Sequence, residues 1–390
     1  MDVTGRDGAA ELSERAREAL RSRDPARALA LLRQAEALAS SIDVCLDKAL
    51  ALRMLGSFGD AVEALNAALV FDPRNLLALL SKGALLERLG RRGESIFAYK
   101  AAIDVARSHE TMPPGLAAPL AEAREAVAAA SETLAAHLRA EVAEIRSRFA
   151  GETLDRFDES LEIYAGRARA FVQQPLLLHY PRLPAIPFHD RALFPWLGRL
   201  EAASRTIRDE LIALRGKALG DFVPYIAYPP GIPVNQWGEL NHSPKWSTFF
   251  LWLNGVRQEE ACALCPKTAE LLAGLPMAQS SEYSPTAMFS VLAPRTRIPP
   301  HTGSTNARLV VHLPLVLPGP ARFRVGNVTR PWRIGEAWVF DDTIEHEAWN
   351  DADEPRTILI FDVWNPQLST AERTLVAAMM RARKAYEMEA

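Results

Sequence analysis

The chain has 390 residues, with 45 Lys and Arg against 48 Asp and Glu and a formal net charge of −3. That length allows two or three domains and a large core, while so even a charge balance gives neither nucleic acid nor an anionic membrane anything to bind. Cys45, Cys262 and Cys265 make no disulfide framework, no apolar run is long enough to span a bilayer, and the first twenty residues hold no signal-peptide core, so a soluble, cytoplasmic protein is expected.

Residues 11–107 are helix-rich and repeat themselves. Ala28, Ala61 and Ser95 recur at intervals of 33 and 34 residues. Leu32, Leu65 and Tyr99 follow in register, as do Ala35, Ala68 and Ala102, and Gly56 and Gly90 fall at equivalent turns. This period and small/large alternation resemble tetratricopeptide repeats, whose helix pairs stack because no pair buries its apolar face alone. Arg23 stands where a turn glycine is expected, and Arg92 where an aromatic is. The repeats offer a concave surface for a peptide or protein, or else a scaffold or dimerisation arm. Met112-Pro113-Pro114-Gly115 breaks the array, and residues 116–170 read as one or two long helices. The expected divisions are repeats over 1–110 and a helical linker over 111–170.

From residue 174 the composition turns to proline, aromatics and short apolar runs. His189 precedes a helix expected over 191–215 and reads as its cap or a packing residue. Residues 241–252 form an aromatic strand. A helix over 259–275 would put Cys262 and Cys265 on one face, with no further ligands to make a zinc site. Short runs at 308–317, 322–328 and 337–340, punctuated by Gly and Pro, suggest a jelly roll. Two stretches carry the chemistry. One is His301-Thr-Gly303-Ser-Thr-Asn-Ala-Arg308-Leu-Val310-Val-His312. The other is Phe340-Asp341-Asp342-Thr-Ile-Glu-His346-Glu-Ala-Trp349, followed by Arg356 and Asp362-Val-Trp364-Asn-Pro366. The histidines are expected on non-neighbouring strands that face each other across the barrel mouth. Imidazole suits Fe, Zn, Cu and Ni, so the ion stays open.

These motifs, over residues 184–366, resemble those of the aspartyl/asparaginyl β-hydroxylases. The resemblance implies an α+β multidomain chain: the helical repeats, a double-stranded β-helix (cupin-like) oxygenase domain at 171–366, and a C-terminal helix at 367–390 packing on the barrel or a second subunit. It implies an Fe(II)- and 2-oxoglutarate-dependent dioxygenase that uses O2 to hydroxylate an unactivated C–H and releases succinate and CO2. By the same resemblance His301 and His346 ligate the metal, and Gly303 holds the place where the common facial triad has its carboxylate. Arg356 grips the distal carboxylate of 2-oxoglutarate with help from Ser290; an ion pair with Asp351 or Asp353 is the competing reading. His312 stands at the metal-proximal carboxylate, with a third-ligand role as its alternative. Trp246 walls the co-substrate pocket or fills the barrel core. Arg308 lies near the reacting substrate, and Val310 occupies the family's second arginine position. Asp341 and Asp342 are expected to orient His346. The implied substrate is the β-carbon of Asp or Asn in a polypeptide docked by the repeats. Alternatives are a free amino acid, lipid or other small molecule, or a repeat adaptor with an inactive barrel. The oligomeric state stays open.

Overall fold

Asp24, Ser41 and Asn75 each accept a hydrogen bond from a backbone N–H in the first turn of the helix that follows, so polar residues between the apolar runs start successive helices. The computed structural model describes residues 3–108, 111–217, 222–280 and 283–389; residues 1, 2, 109, 110, 218–221, 281, 282 and 390 of the expected segments lie outside these. It divides into two units, Met1–Ala168 and Arg169–Ala390.

The first unit is helical: α1 (Val3–Arg21), α2 (Pro25–Leu38), α3 (Ile42–Met54), α4 (Phe58–Phe71), α5 (Leu76–Arg88), α6 (Arg92–Ala106), α7 (Ala117–Ser147) and α8 (Asp155–Tyr164). α1 to α6 make three hairpins, each packed on the next, α7 lies against α5 and α6, and α8 returns onto α7. All nine repeating residues are buried. Tyr99 takes the place of a leucine because Gly83 leaves room for it; a Cβ on Gly83 would lie 2.3 Å from the Tyr99 ring. Gly56 and Gly90 turn with φ of 79° and 73°, and Arg23 is held at 60° in the equivalent turn despite its side chain.

The second unit contains α9 (Leu197–Ala202), α10 (Ser204–Lys217), β1 (Val223–Pro224), β2 (Trp246–Leu253), β3 (Val256–Arg257), α11 (Glu259–Leu264), α12 (Pro266–Ala273), β4 (Ala287–Leu292), β5 (Thr296–His301), β6 (Arg308–Val316), β7 (Ala321–Val325), β8 (Val328–Pro331), β9 (Trp338–Phe340), β10 (His346–Asn350), β11 (Arg356–Trp364) and α13 (Thr370–Glu389). A seven-stranded sheet runs β1-β2-β4-β11-β6-β9 with β3 beside β2, and a four-stranded sheet runs β5-β10-β7-β8. The pairings are antiparallel. Alternation along β11 sends Leu359, Phe361 and Val363 into a dry core against α9 to α12. Ile358 and Ile360 face the other way, into a core shared with Phe323 and Ala348 of the smaller sheet. The cavity described below opens from that second face.

Prolines change two of the expected helices. Residues 191–215 are a single turn of 3-10 helix at Arg191–Leu193, then α9, then α10; Pro195, which supplies no N–H to carry a helix through, separates the first turn from α9. Asp190, not His189, caps the turn; His189 is buried beside Phe194. Residues 259–275 split at Cys265, whose φ of −130° reflects the restriction that Pro266 imposes on its predecessor. Cys262 and Cys265 therefore share no helix face, and both are buried in the dry core. Val376 and Met380 of α13 pack with Ala307, Leu368 and Trp364 of the same unit. Among the described residues no helix is long and apolar enough to cross a membrane.

Candidate active site

β5 ends at His301 and β10 begins at His346, and the register makes these two residues direct partners. This corrects the expectation of non-neighbouring, facing strands: they are remote in sequence but adjacent in the smaller sheet. The imidazole centroids are 4.0 Å apart. Each Nδ1 meets the carbonyl oxygen two residues earlier, Pro299 at 2.8 Å and Ile344 at 3.0 Å. A carbonyl can only accept, so each Nδ1 carries the proton and each Nε2 keeps its lone pair. Burial pulls the pKa of His301 down to about 4 and that of His346 well below its usual value, the latter helped by His301 beside it, so both rings stay neutral.

The aspartates before His346 do not orient it. Asp341 accepts from Thr343 N and Oγ1 and from Gln173 Nε2. Asp342 turns towards Gly303: a Cβ on Gly303 would lie 1.9 Å from Asp342 Oδ2 and 2.1 Å from its Cγ, so position 303 tolerates no side chain. Among the described residues no three His, Cys, Asp or Glu side chains converge as a metal site.

All seven side chains singled out in the sequence (Trp246, Ser290, His301, Arg308, His312, His346 and Arg356) line one cavity of about 540 Å³. Arg356 is 1% exposed, and its Nε and Nη1 have no hydrogen-bond partner. It lies 4.5 Å over the Trp332 ring, and burial pulls its pKa down to about 9. Asp351 and Asp353 pair with Arg322 and Arg295 instead of with Arg356. Register puts Arg356 opposite Leu292 and Ile358 opposite Ser290, so Ser290 and Arg356 share the cavity face. Ser290 Oγ accepts from Trp246 Nε1 at 3.1 Å, which leaves its own proton free to donate. Trp246 lines the cavity and packs in the core, with the Tyr225 ring tilted against it at a centroid distance of 4.2 Å. His312 is buried between Phe323 and Phe340 with Nδ1 unpartnered, and burial, then Arg356, keep it neutral.

Arg308 is placed differently. Its Nη1 pairs with Asp362 Oδ2 on β11, and the other oxygen of Asp362 accepts from Thr286 N at 3.0 Å. Val310 also lines the cavity and brings no charge to it. Asp342 is 8% exposed with Oδ1 unpartnered, and burial, partly opposed by Arg308, pushes its pKa up to about 7. Sequence reasoning placed Asp362 in a motif without giving it a role, and it missed the cavity position of Asp342 as well as Trp237, whose ring meets His301 edge-on at 5.0 Å. Counting alternate residues from Arg356 would have found Asp362; no local pattern brings Asp342 onto Gly303.

A family model for aspartyl/asparaginyl beta-hydroxylase matches residues 201–366. The human aspartyl/asparaginyl beta-hydroxylase is 38% identical over 181 residues, which is 46% of this chain and 22% of that protein. The chain thus spans less than a quarter of that relative's length. The ornithine lipid ester-linked acyl 2-hydroxylase of Rhizobium tropici is 34% identical over 203 residues, 51% of this chain and 67% of that protein. Among solved structures, the Arabidopsis OM64 TPR domain is 18% identical with a TM-score of 0.28, over 31% of this chain and 94% of that one. That likeness is too slight to argue from.

Proposed function

From the premise that the chain belongs to the aspartyl/asparaginyl β-hydroxylase family, we propose that it is an Fe(II)- and 2-oxoglutarate-dependent dioxygenase hydroxylating an unactivated C–H, with succinate and CO2 as co-products. The observation that carries this reading is Arg356, a buried guanidinium with no ion pair among the described residues, in the cavity that holds the histidine pair. A buried cation left unpaired costs several kcal/mol, and a ligand carboxylate offsets that cost when bound. The two facing antiparallel sheets support a double-stranded β-helix as the frame.

The residues fit the groups they would hold. His301 and His346 offer two neutral imidazoles with Nε2 free, a donor set that suits iron. Arg356 and Ser290 supply donors to the distal carboxylate of 2-oxoglutarate, and His312 with its unpartnered Nδ1 serves the carboxylate nearer the metal. Iron with 2-oxoglutarate and O2 supplies the oxidising chemistry. The protein's part is to fix the carboxylates, keep both ligand rings neutral, and exclude water with Trp246, Phe323 and Phe340. Three free, buried thiols are compatible with a reducing, cytoplasmic setting.

The family's name supports the β-carbon of Asp or Asn in a polypeptide as the target, docked by the helical repeats. A second reading, hydroxylation of a lipid acyl chain, is favoured by the Rhizobium relative and by the apolar wall of Leu177, Met288, Ile360 and Met380. Succinate release by the Fe(II)-loaded full chain, measured over Asp and Asn peptides, free amino acids and acyl lipids, tests the reading and chooses between targets. No succinate with any of them, and none uncoupled, would overturn it. The metal is expected to have two protein ligands. A carboxylate oxygen at about 2.0–2.2 Å from it in an anaerobic metal-loaded structure would refute that.

A further inference from the structure

The ladder that makes His301 and His346 partners stops at the two rings, since β5 ends at one and β10 begins at the other. Two loops leave it there, 302–307 after His301 and 341–345 before His346, joined by the bond from Gly303 N to Asp342 O at 2.6 Å. A third segment lies across both. Gln174 N donates to Thr343 O at 2.7 Å, and Leu176 N and Leu177 N donate to Gly303 O and Ser304 O at 2.9 Å each. Gln173 adds a side-chain bridge. Its Oε1 accepts from Asn306 Nδ2 at 2.9 Å, and its Nε2 donates to Asp341 Oδ2 at 2.6 Å, with a longer bond to Pro184 O at 3.4 Å. The orientation of both amides is fixed, because Asn306 must accept from Tyr180 N and donate to Tyr180 O. Asn306 and Asp341, the two anchors of the bridge, are buried.

Elements loosen where their hydrogen bonding runs out, and here the segment 173–177 stands where further rungs would be. Asp341 does not touch the His346 ring; it is the point by which Gln173 holds the loop before that ring, as Asn306 is on the loop after His301. We propose that Gln173 is a positioning residue for the metal centre: its carboxamide ties the two loops together and sets the separation of the two imidazoles. This rests on the reading of His301 and His346 as the metal ligands. With only two protein ligands, affinity depends on keeping both lone pairs at one distance from the same point. Residue 173 lies outside the stretch 201–366 that the family model matches. Losing a group that orients a ligand from behind typically costs about 10–100-fold in metal affinity.

Mn(II) binding to the full-length protein, followed by electron paramagnetic resonance, separates the two readings. Binding in the wild type that His301→Ala abolishes supports the metal site; no binding in the wild type would sink that reading and the proposal together. Given binding, Gln173→Met, which keeps the reach of the side chain and loses its hydrogen bonds, should weaken Mn(II) by about tenfold or more. Gln173→Glu should weaken it further, since a carboxylate then faces Asp341. Adding Asp341→Asn to Gln173→Glu reverses the polarity of that one bond, and the new amide still accepts from Thr343 through its oxygen. The double variant should return to within about threefold of wild type, short only of the bond to Pro184. Gln174→Ala removes an exposed side chain and none of these bonds, so it should change nothing. In metal-free protein, hydrogen exchange of residues 302–306 and 341–345 should quicken together in Gln173→Met. Unaltered Mn(II) affinity in both single Gln173 variants, no recovery in the double variant, exchange quickened in neither loop, or an equal loss in Gln174→Ala would each overturn the proposal and leave the metal reading intact. If Gln173→Met does not fold, as judged by circular dichroism, the contrast between Gln173→Glu and its double variant decides the matter.

Discussion

The cavity has two arginine-bearing walls, and their guanidiniums are treated in opposite ways. Arg308 is paired with Asp362, a carboxylate that is itself held by a backbone N–H. Arg356 is more deeply buried, yet among the described residues its Nε and Nη1 have no hydrogen-bond partner, and the guanidinium lies over the Trp332 ring. A paired buried ion is part of the scaffold, and removing one member strands the other. An unpaired one is a standing cost that only a ligand can offset. Burial alone does not separate these roles; the hydrogen-bond inventory does.

The comparison breaks if the two arginines respond alike to mutation. Arg356→Ala should weaken 2-oxoglutarate binding by roughly two to four orders of magnitude, the equivalent of about 3–5 kcal/mol, with little loss of folding stability. Arg308→Ala should do the reverse, lowering folding stability by a similar 3–5 kcal/mol because Asp362 is left buried and unpaired. Calorimetric titration and denaturant unfolding of both variants read the contrast directly.

Asp342 sharpens it through pH. Its folded pKa of about 7 lies above the ordinary 3.8, so the folded state holds this proton more tightly than the unfolded chain does. Below about pH 4 both states are protonated and nothing is lost. As pH rises towards 7 the unfolded chain releases the proton first, and stability falls; above 7 the deficit is constant, at most about 4 kcal/mol for three units. In metal-free protein, the stability advantage of Asp342→Asn over wild type should grow from pH 4 to pH 7 and then level off. A difference independent of pH would contradict the environment assigned to Asp342.

Smaller effects follow. Arg356→Met replaces an unpaired buried cation with a side chain of similar reach, so it should raise the melting temperature of co-substrate-free protein, by roughly 1–3 kcal/mol of stability, while abolishing any shift on adding 2-oxoglutarate. The smallest concerns an arginine held at a cost in its backbone. Arg23 sits at φ 60° where Gly56 and Gly90 occupy the equivalent turns. Arg23→Gly should stabilise the helical unit by about 1 kcal/mol, measured by thermal unfolding.

The repeats were the most legible part. Spacings of 33 and 34 residues mark the buried faces of α2, α4 and α6 because a helix buries residues by a short, local period. Prolines were under-read: Pro195 and Pro266 each split what periodicity alone joined into one helix. The motif residues were legible as a set, and they do share one cavity. Their partners were not. Asp362 is 54 residues from the arginine it neutralises, and Asp342 is 39 residues from the glycine it packs on.

Sequence by itself determined what is set by near neighbours: helix period, turn glycines, β-alternation, and which histidines, arginine and serine carry the motifs. Tertiary structure alone decided what depends on register between distant strands. Pairing β10 with β5 made His301 and His346 partners, and pairing β11 with β6 brought Asp362 to Arg308, while Arg356, opposite Leu292 of β4, has no ion pair among the described residues. A shift of one residue in either pairing would turn every side chain of a strand to the opposite face, so the charge state of this cavity belongs to the assembled sheets and to no single segment of the chain.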